Sequence, residues 1–421
     1  MRRRSFLLLA GSLGLSGCSM GPGEGGPYSP YSAGGATSGP ESLAGLGAGQ
    51  GASGPVAILL PFSGRYAAVA EPMFQAAELA LSGPGAPPLL KQDTGGTPQG
   101  AAAAVQAALR SGARLILGPL TAPETNAAAS VAAASGVPML AFTNDPAVAR
   151  PGVWTLGITP GEQVRNLVGA AQRQGRTRFA ALLPDSAFGR LMAQALADAT
   201  RAAALPPPAI RFHSGGMASI NQTARALSDY AGRWGPIERK MREARASGTA
   251  AGRREAAALR KSVPPPPPFD ALLLADTGVA LEELSAVLAY YVVGPPSVRI
   301  MGPALWADPA SGSRHLPGAW FVQPASDSRA GFVSAYTQRY GNPPPGIADL
   351  AYDAGGLALV AARAGYGADA LTQARGFSGA DGWLVLLADG HVRRGLGVFA
   401  VGGPSGPRLV QPPPVSPGAA V

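Results

Sequence analysis

The sequence predicts an α/β protein of two doubly wound parallel-sheet lobes, joined by a hinge and separated by an interlobe cleft. Three observations carry this prediction. Short apolar runs suited to buried parallel strands alternate with Ala-rich stretches of helical length. The alternation starts afresh at Phe179. Beyond a Gly/Pro/Ser-rich opening segment, about 360 of the 421 residues remain, enough for two domains of ordinary size.

In the first set, residues 56–61 (Val-Ala-Ile-Leu-Leu-Pro) form the first strand, residues 62–66 a turn, and a helix runs through Met73, Ala77 and Leu81. Leu89 and Leu90 open a second strand that ends in Asp93-Thr94-Gly95-Gly96-Thr97-Pro98, followed by a helix over 99–110. Strands at 115–120 and 137–142 enclose another helix. The second set has strands at 179–184, 209–213, 271–276 and 299–303, with a turn at 185–189 and a helix to about Ala203. This spacing calls for parallel sheets covered on both faces. A binding crevice then belongs at the carboxyl ends of the strands.

The opening segment has a different character. Arg2, Arg3 and Arg4 precede an apolar run from Phe6 to Leu15 and small residues, the layout of a secretory signal peptide over 1–17. About ten apolar residues are too few for a bilayer span, which needs about 20. Leu15-Ser16-Gly17-Cys18 resembles a bacterial lipobox, which implies lipidation of Cys18, and Arg3-Arg4-Ser5-Phe6-Leu7 resembles a twin-arginine export signal. Cys18 is the only cysteine, so its modification leaves no thiol for a disulfide or a metal site. Ser19, where enterobacterial sorting reads Asp as a retention signal, favours the outer membrane. Residues 18–53 read as the lipidated cysteine and a flexible tether, about 110 Å long if fully stretched. The alternating glycines at 45–51 follow no strand and open no helix, so they are not a nucleotide loop.

The formal net charge is +9. Arginine supplies most of it, in a chain rich in Ala, Gly and Pro, and an exported protein has no nucleic acid to meet. More than half of the excess lies in residues 228–268, where nine basic residues (Arg233, Arg239, Lys240, Arg242, Arg245, Arg253, Arg254, Arg260, Lys261) face four acids (Asp229, Glu238, Glu243, Glu255). This insertion reads as two charged helical stretches broken near Ser247-Gly248 and closed by Pro264 to Pro268. It is either a solvated helical pair or, through Arg239, Lys240, Arg242, Arg253 and Arg254, a docking surface for an anionic partner.

Over residues 55–402 the chain resembles the type I periplasmic binding proteins of the leucine/isoleucine/valine-binding family. The resemblance lies in residues 56–64, 92–97, 112–120, 136–142, 178–189, 269–276, 300–304, 317–324 and 351–364, and in Asp389-Gly390 before Gly397-Val398-Phe399. It implies lobe 1 at 54–157 plus 313–375, lobe 2 at 158–312 plus 376–404, and a flexible tail at 405–421. It also implies a helix over 348–363 on lobe 1 and a last hairpin over 383–401 completing lobe 2. Ligand contacts in such proteins come from strand-end loops. By position these are Ser63, Gly64, Arg65 and Tyr66; Leu120, Thr121 and Ala122; Thr143, Asn144 and Asp145; Phe188; Asp276 and Thr277; and residues 304–306. Thr121 and Thr143 are candidate hydroxyl donors, and Arg65 a candidate partner for an anion.

The chain departs from the amino-acid binders in having Leu120-Thr121-Ala122-Pro123-Glu124-Thr125 in place of a hydroxyl-rich Ser/Thr loop. It also has Ala304-Leu305-Trp306 in place of an acid that holds the ligand's ammonium; Asp276 or Asp145 is a candidate replacement.

Fold, lipid anchor and insertion together resemble the penicillin-binding protein activator branch, outer-membrane lipoproteins whose leucine-binding-like domain helps stimulate peptidoglycan synthases. The amino-terminal helical repeat domain of that branch's best-known members has no counterpart in residues 1–53. The expectation is a noncatalytic ligand-binding lipoprotein, anchored on the periplasmic side of a bacterial membrane, that acts as such an activator. The alternative is a solute-binding protein that delivers an amino acid or related small solute to an ABC permease. Expected partners are a small ligand (amino acid-like or a cell-wall fragment), a peptidoglycan synthase or a permease, and the membrane; no cofactor or metal is expected. His213, His315 and His391 have no metal-ligand spacing, and there is no Gly-x-Ser-x-Gly elbow or Walker loop.

Overall fold

The computed structural model describes residues 40–43, 54–325, 327–402 and 406–414. The expected signal peptide, Cys18 and most of the expected tether lie outside the described residues. The exception is 40–43: β1 (Glu41–Ser42) is a strand, and Leu43 beside it is buried against Gly356, where a Cβ would stand 2.9 Å from that of Leu43. An aliphatic side chain with a glycine-made socket removes these four residues from the tether.

The first lobe is a five-stranded parallel sheet of β2 (Val56–Leu60), β3 (Leu89–Asp93), β4 (Leu115–Leu117), β5 (Met139–Ala141) and β6 (Val153–Thr155), in the order β3-β2-β4-β5-β6. Crossover helices α1 (Ala67–Ala80), α2 (Pro98–Arg110) and α3 (Ala122–Ala134) connect them. β2 is wholly buried, as its unbroken apolar run requires. Its alternate residues serve two cores. Val56, Ile58 and Leu60 face α1, while Ala57 and Leu59 face α2 and α3.

The second lobe contains α4 (Pro160–Arg173), β7 (Phe179–Pro184), α5 (Ala187–Ala202), β8 (Ala209–His213), α6 (Gly216–Leu227), α7 (Tyr230–Ala246), α8 (Ala250–Leu259), β9 (Ala271–Leu274), α9 (Gly278–Tyr290), β10 (Arg299–Met301) and β11 (Trp320–Pro324). The chain then returns to the first lobe through α10 (Ser328–Tyr340), α11 (Ala348–Arg363) and α12 (Ala368–Leu371). It adds β12 (Phe377–Gly379), β13 (Gly382–Leu386) and β14 (Val392–Arg394) there, and ends on β15 (Leu396–Ala400) and β16 (Arg408–Gln411) in the second lobe. The second sheet has seven strands in the order β16-β15-β11-β10-β9-β7-β8; β15 runs antiparallel to both of its neighbours, β11 and β16.

Both expected lobe boundaries move. Residues 313–324 lie with the second lobe, because β11 pairs with β10 and β15 and buries Trp320 and Val322 in that core. Residues 376–394 lie with the first lobe. Here β1, β12, β13 and β14 form a separate four-stranded sheet whose Phe377, Leu384, Leu386 and Val392 pack with Trp154 and α11. The expected last hairpin is thus divided at Gly395, where a Cβ would meet the Trp383 indole at 2.5 Å, and only its second half enters the second lobe. The tail is also ordered in part: β16 pairs with β15, and the Trp383 Nε1 donates to Pro414 O at 2.6 Å. The helix expected over 348–363 is α11, packed on α1.

Among the described residues three crossings therefore join the lobes, at 156–159, between β11 and α10, and at 395. The first leaves the carboxyl end of β6 and the second the carboxyl end of β11. That topology brings the carboxyl edges of both sheets to the hinge side, where they line the interlobe space.

Candidate functional site

In a doubly wound sheet the crevice forms where neighbouring strands send their connections to opposite sides. In the first sheet β2 lies between β3 and β4, and in the second β7 lies between β8 and β9. The loops after these strands carry most of the candidates. Ser63, Arg65 and Tyr66 follow β2; Thr121 follows β4; Phe188 follows β7; Asp276 and Thr277 follow β9. Thr143, Asn144 and Asp145 follow β5, next to the first crossing, where Gly157 N donates to Thr143 O at 3.1 Å.

On the first wall the β2 loop lies against the β3 loop. Ser63 N donates to Asp93 Oδ1 at 3.2 Å and Gly95 N to the same oxygen at 2.8 Å. Burial works against the Asp93 charge, but these bonds and one from the Ser63 hydroxyl prevail and hold its carboxyl below the usual value. Thr121 is committed to its own helix. It caps α3 in a capping box with Glu124, whose Oε2 accepts from the Thr121 hydroxyl at 2.6 Å, while Glu124 Oε1 accepts from Thr94. Thr143 Oγ1 accepts from Asp145 N at 3.2 Å, and Asp145 in turn caps a short turn through Ala147 N at 2.9 Å.

Among the described residues, the Arg65, Tyr66 and Asn144 side chains make no hydrogen bond. The exposed Arg65 guanidinium lies 4.3 Å over the Tyr66 ring. Helix α1 opens behind this pair with no side-chain cap, whereas α2, α3 and α5 are capped by Thr97, Thr121 and Ser186. An uncapped helix start beside a guanidinium suits a carboxylate.

The second wall is internally occupied. Asp276 is buried, and its Oδ2 lies 3.2 Å from His213 Nε2. His213 Nδ1 accepts from Gly215 N at 3.2 Å, so the Nε2 proton points at Asp276. The Asp276 carbonyl accepts from Trp306 Nε1 at 3.0 Å, and Ala304 N donates to Gln163 Oε1 at 2.8 Å. Phe188 is half-buried against the second core, while Thr277 is exposed at the start of α9 without a cap bond. Asp276 is thus a tie between β8 and β9, not a free acceptor for an ammonium. His213 and Gln163, the residues that occupy this wall, lie 63 and 141 positions from their partners, and no local pattern in the sequence marks them.

A buried charge network sits at the crossings. Arg394 Nη2 donates to Leu156 O at 2.5 Å and Nη1 lies 3.8 Å from Asp381; Arg329 holds Asp349 at 2.6 Å; Asp353 Oδ1 accepts from Ala380 N at 2.6 Å. Burial, with the Asp381 charge, pushes Asp349 up to about 7 and Asp353 up to about 8. Burial also raises Glu162 of α4, against the pull of Arg394. The three crossings thus meet in one polar network: the Leu156 carbonyl, Arg329 and Arg394 each stand at or next to a different crossing.

Two cavities lie away from the cleft. One of about 370 Å³ is at the amino ends of β4 and β5, between Arg114, Val137 and Tyr366; one of about 500 Å³ is in the insertion. The insertion has the expected form. Helices α7 and α8 pack on each other and break at Ser247 and Gly248, and Arg239, Lys240, Arg242, Arg253 and Arg254 are exposed. Arg233 is the exception. It is buried, and its guanidinium donates to the carbonyls of Ser228, Pro265, Tyr291 and Val292. It anchors the hairpin to the lobe.

Residues 55–230 match a family model described as periplasmic binding protein. A putative branched-chain amino acid ABC transporter structure from Rhodospirillum rubrum is similar over 85% of this chain and 100% of its own, at 20% identity and a TM-score of 0.64. The branched-chain amino acid transporter substrate binding protein LivJ from Streptococcus pneumoniae, in complex with isoleucine, is similar over 86% and 100%, at 15% identity and 0.56. An R. palustris ABC-transporter solute binding protein in complex with benzoate is similar over 86% and 97%, at 17% identity and 0.54. A search of curated protein sequences finds no match. Sheet order, hinge crossings and these likenesses agree: the chain has the type I periplasmic binding protein fold.

Proposed function

We propose that the protein is a noncatalytic solute-binding protein for a small carboxylate, held in the cleft and offered to an ABC permease. One observation carries the reading: Arg65, Tyr66 and the start of α1 lie together at the switch point of the first sheet, where among the described residues the Arg65 and Tyr66 side chains make no hydrogen bond and no side chain caps the helix. Isoleucine and benzoate, the ligands named for two similar structures, share a carboxylate and little else. The occupied Asp276 argues against an amino-acid ammonium being bound as the sequence departure first raised. A lipid on Cys18 would tether the body to the periplasmic side of a membrane, the outer one being favoured by Ser19.

A thermal-denaturation panel of amino acids, aromatic acids and wall fragments tests the reading, since a ligand of the folded state raises stability by mass action. Saturable stabilisation by a small carboxylate supports it; stabilisation by wall fragments alone would refute it. The activator reading rests on the exposed basic hairpin, and stimulation of a peptidoglycan synthase that is lost on removing residues 228–268 would carry it instead.

A further inference from the structure

We infer that the α7–α8 hairpin is a binding site for a compact phosphate-bearing anion, separate from the cleft. A cavity of about 500 Å³ opens in it, lined by Arg245, Arg253, Arg260 and Lys261 around Ala256 and Ala257. The lining thus brings four cations and no acid together. Among the described residues, none of the eight exposed basic residues of the hairpin forms an ion pair, although Glu238, Glu243 and Glu255 are on the same helices. Arg233, which anchors the hairpin to the lobe, is buried elsewhere and satisfied by carbonyls, and of the lining cations Arg253 donates from Nη1 to Gly248 O at 3.0 Å.

Like charges gathered around one cavity repel, so the folded hairpin carries an electrostatic cost that a polyanion would relieve. Guanidinium groups bind phosphate oxygens through paired N–H donors, and a lysine adds a point charge. The alanine floor leaves room for the anion and supplies no large apolar group for a bilayer to receive. The site is a half-open pocket, whose concave floor suits an inserted phosphate group better than a flat membrane surface. The anion's source is a phosphorylated glycan or a free polyphosphate, and the two share this chemistry. The inference does not depend on what the cleft binds.

Titration of the full chain with inorganic tripolyphosphate, and separately with a mannose 6-phosphate-bearing glycan, tests it. Saturable binding of either probe is expected, the tighter one identifying the source. Arg260→Ala/Lys261→Ala should weaken binding by about tenfold or more, because charge-assisted bonds are lost. Arg239→Ala/Lys240→Ala removes the same charge away from the cavity and should weaken it less than about threefold, the size of a screened surface effect. Equal losses in the two variants would overturn the site in favour of general charge attraction. Binding to vesicles with phosphatidylglycerol, or to poly-glutamate, without binding to either phosphate probe would overturn it in favour of a membrane or an acidic protein face.

Discussion

The two walls of the cleft have the same topology and opposite chemistry. After β2 in the first lobe, the exposed Arg65 lies over the half-buried Tyr66 ring, at a helix start with no side-chain cap. After β9 in the second, Asp276 is closed in by His213 and Trp306. The contrast teaches that position at a strand end makes a residue available for binding only when the fold has not already spent its polar atoms. On the proposed reading the first wall recognises the solute and the second is its counterface.

The largest effect is expected from the support of the first wall. Gly118 has φ +95°, and a Cβ there would stand 2.3 Å from Leu59 O, between β4 and the loop that leads to Thr121. Gly118→Ala should cost about 4 kcal/mol, combining left-handed strain with overpacking, measured by urea unfolding. A loss below about 1 kcal/mol would show that this wall can yield.

Next comes the tie in the second wall. Asp276→Ala leaves a buried imidazole N–H unpaired and should cost about 3 kcal/mol, whereas Asp276→Asn keeps an acceptor and should cost about 1 kcal/mol. If Asp276→Asn instead abolished ligand binding at unchanged stability, the second wall would be a recognition surface and the contrast would fail.

The hinge network between the walls sets a smaller, pH-dependent effect. Asp353 has a folded pKa pushed up to about 8 from 3.8, so between those values the folded state holds a proton that the unfolded chain releases. Its contribution to stability therefore falls as pH rises through that window and is constant above it. Asp353→Asn removes the titration. The variant should lose less stability than the parent between pH 5 and pH 8 in paired denaturant melts, and parallel curves would show that the proton is not held there.

The smallest effect on stability belongs to the residue proposed to recognise. Arg65→Ala should change unfolding free energy by less than about 0.5 kcal/mol, since the side chain is exposed. It should weaken binding of a carboxylate solute by about tenfold, through loss of a charge-assisted bond.

Much of this was legible in the sequence because buried parallel strands advertise themselves. Residues 56–60, 179–184 and 271–274 are unbroken apolar runs, and each is a central strand. β6 is only Val153–Thr155, too short a signal to stand out, and β10 is only Arg299–Met301, the first three residues of the strand expected at 299–303. The lobe boundaries moved because Gly382–Leu386 and Leu396–Ala400 are equally apolar, and hydrophobicity does not say which of two cores a strand joins. The strand-end loops were legible as places. Which of their polar groups remained free was not, because Asp276 and Ala304 are occupied by partners far away in the chain.

The most direct test of the two-wall account is a calorimetric titration comparing a stabilising carboxylate solute with its neutral amide, in the parent and in Arg65→Ala. The account predicts that the acid binds the parent at least about tenfold more tightly than the amide, and that Arg65→Ala removes most of this preference. Equal binding of acid and amide, or a preference that survives Arg65→Ala, would contradict it.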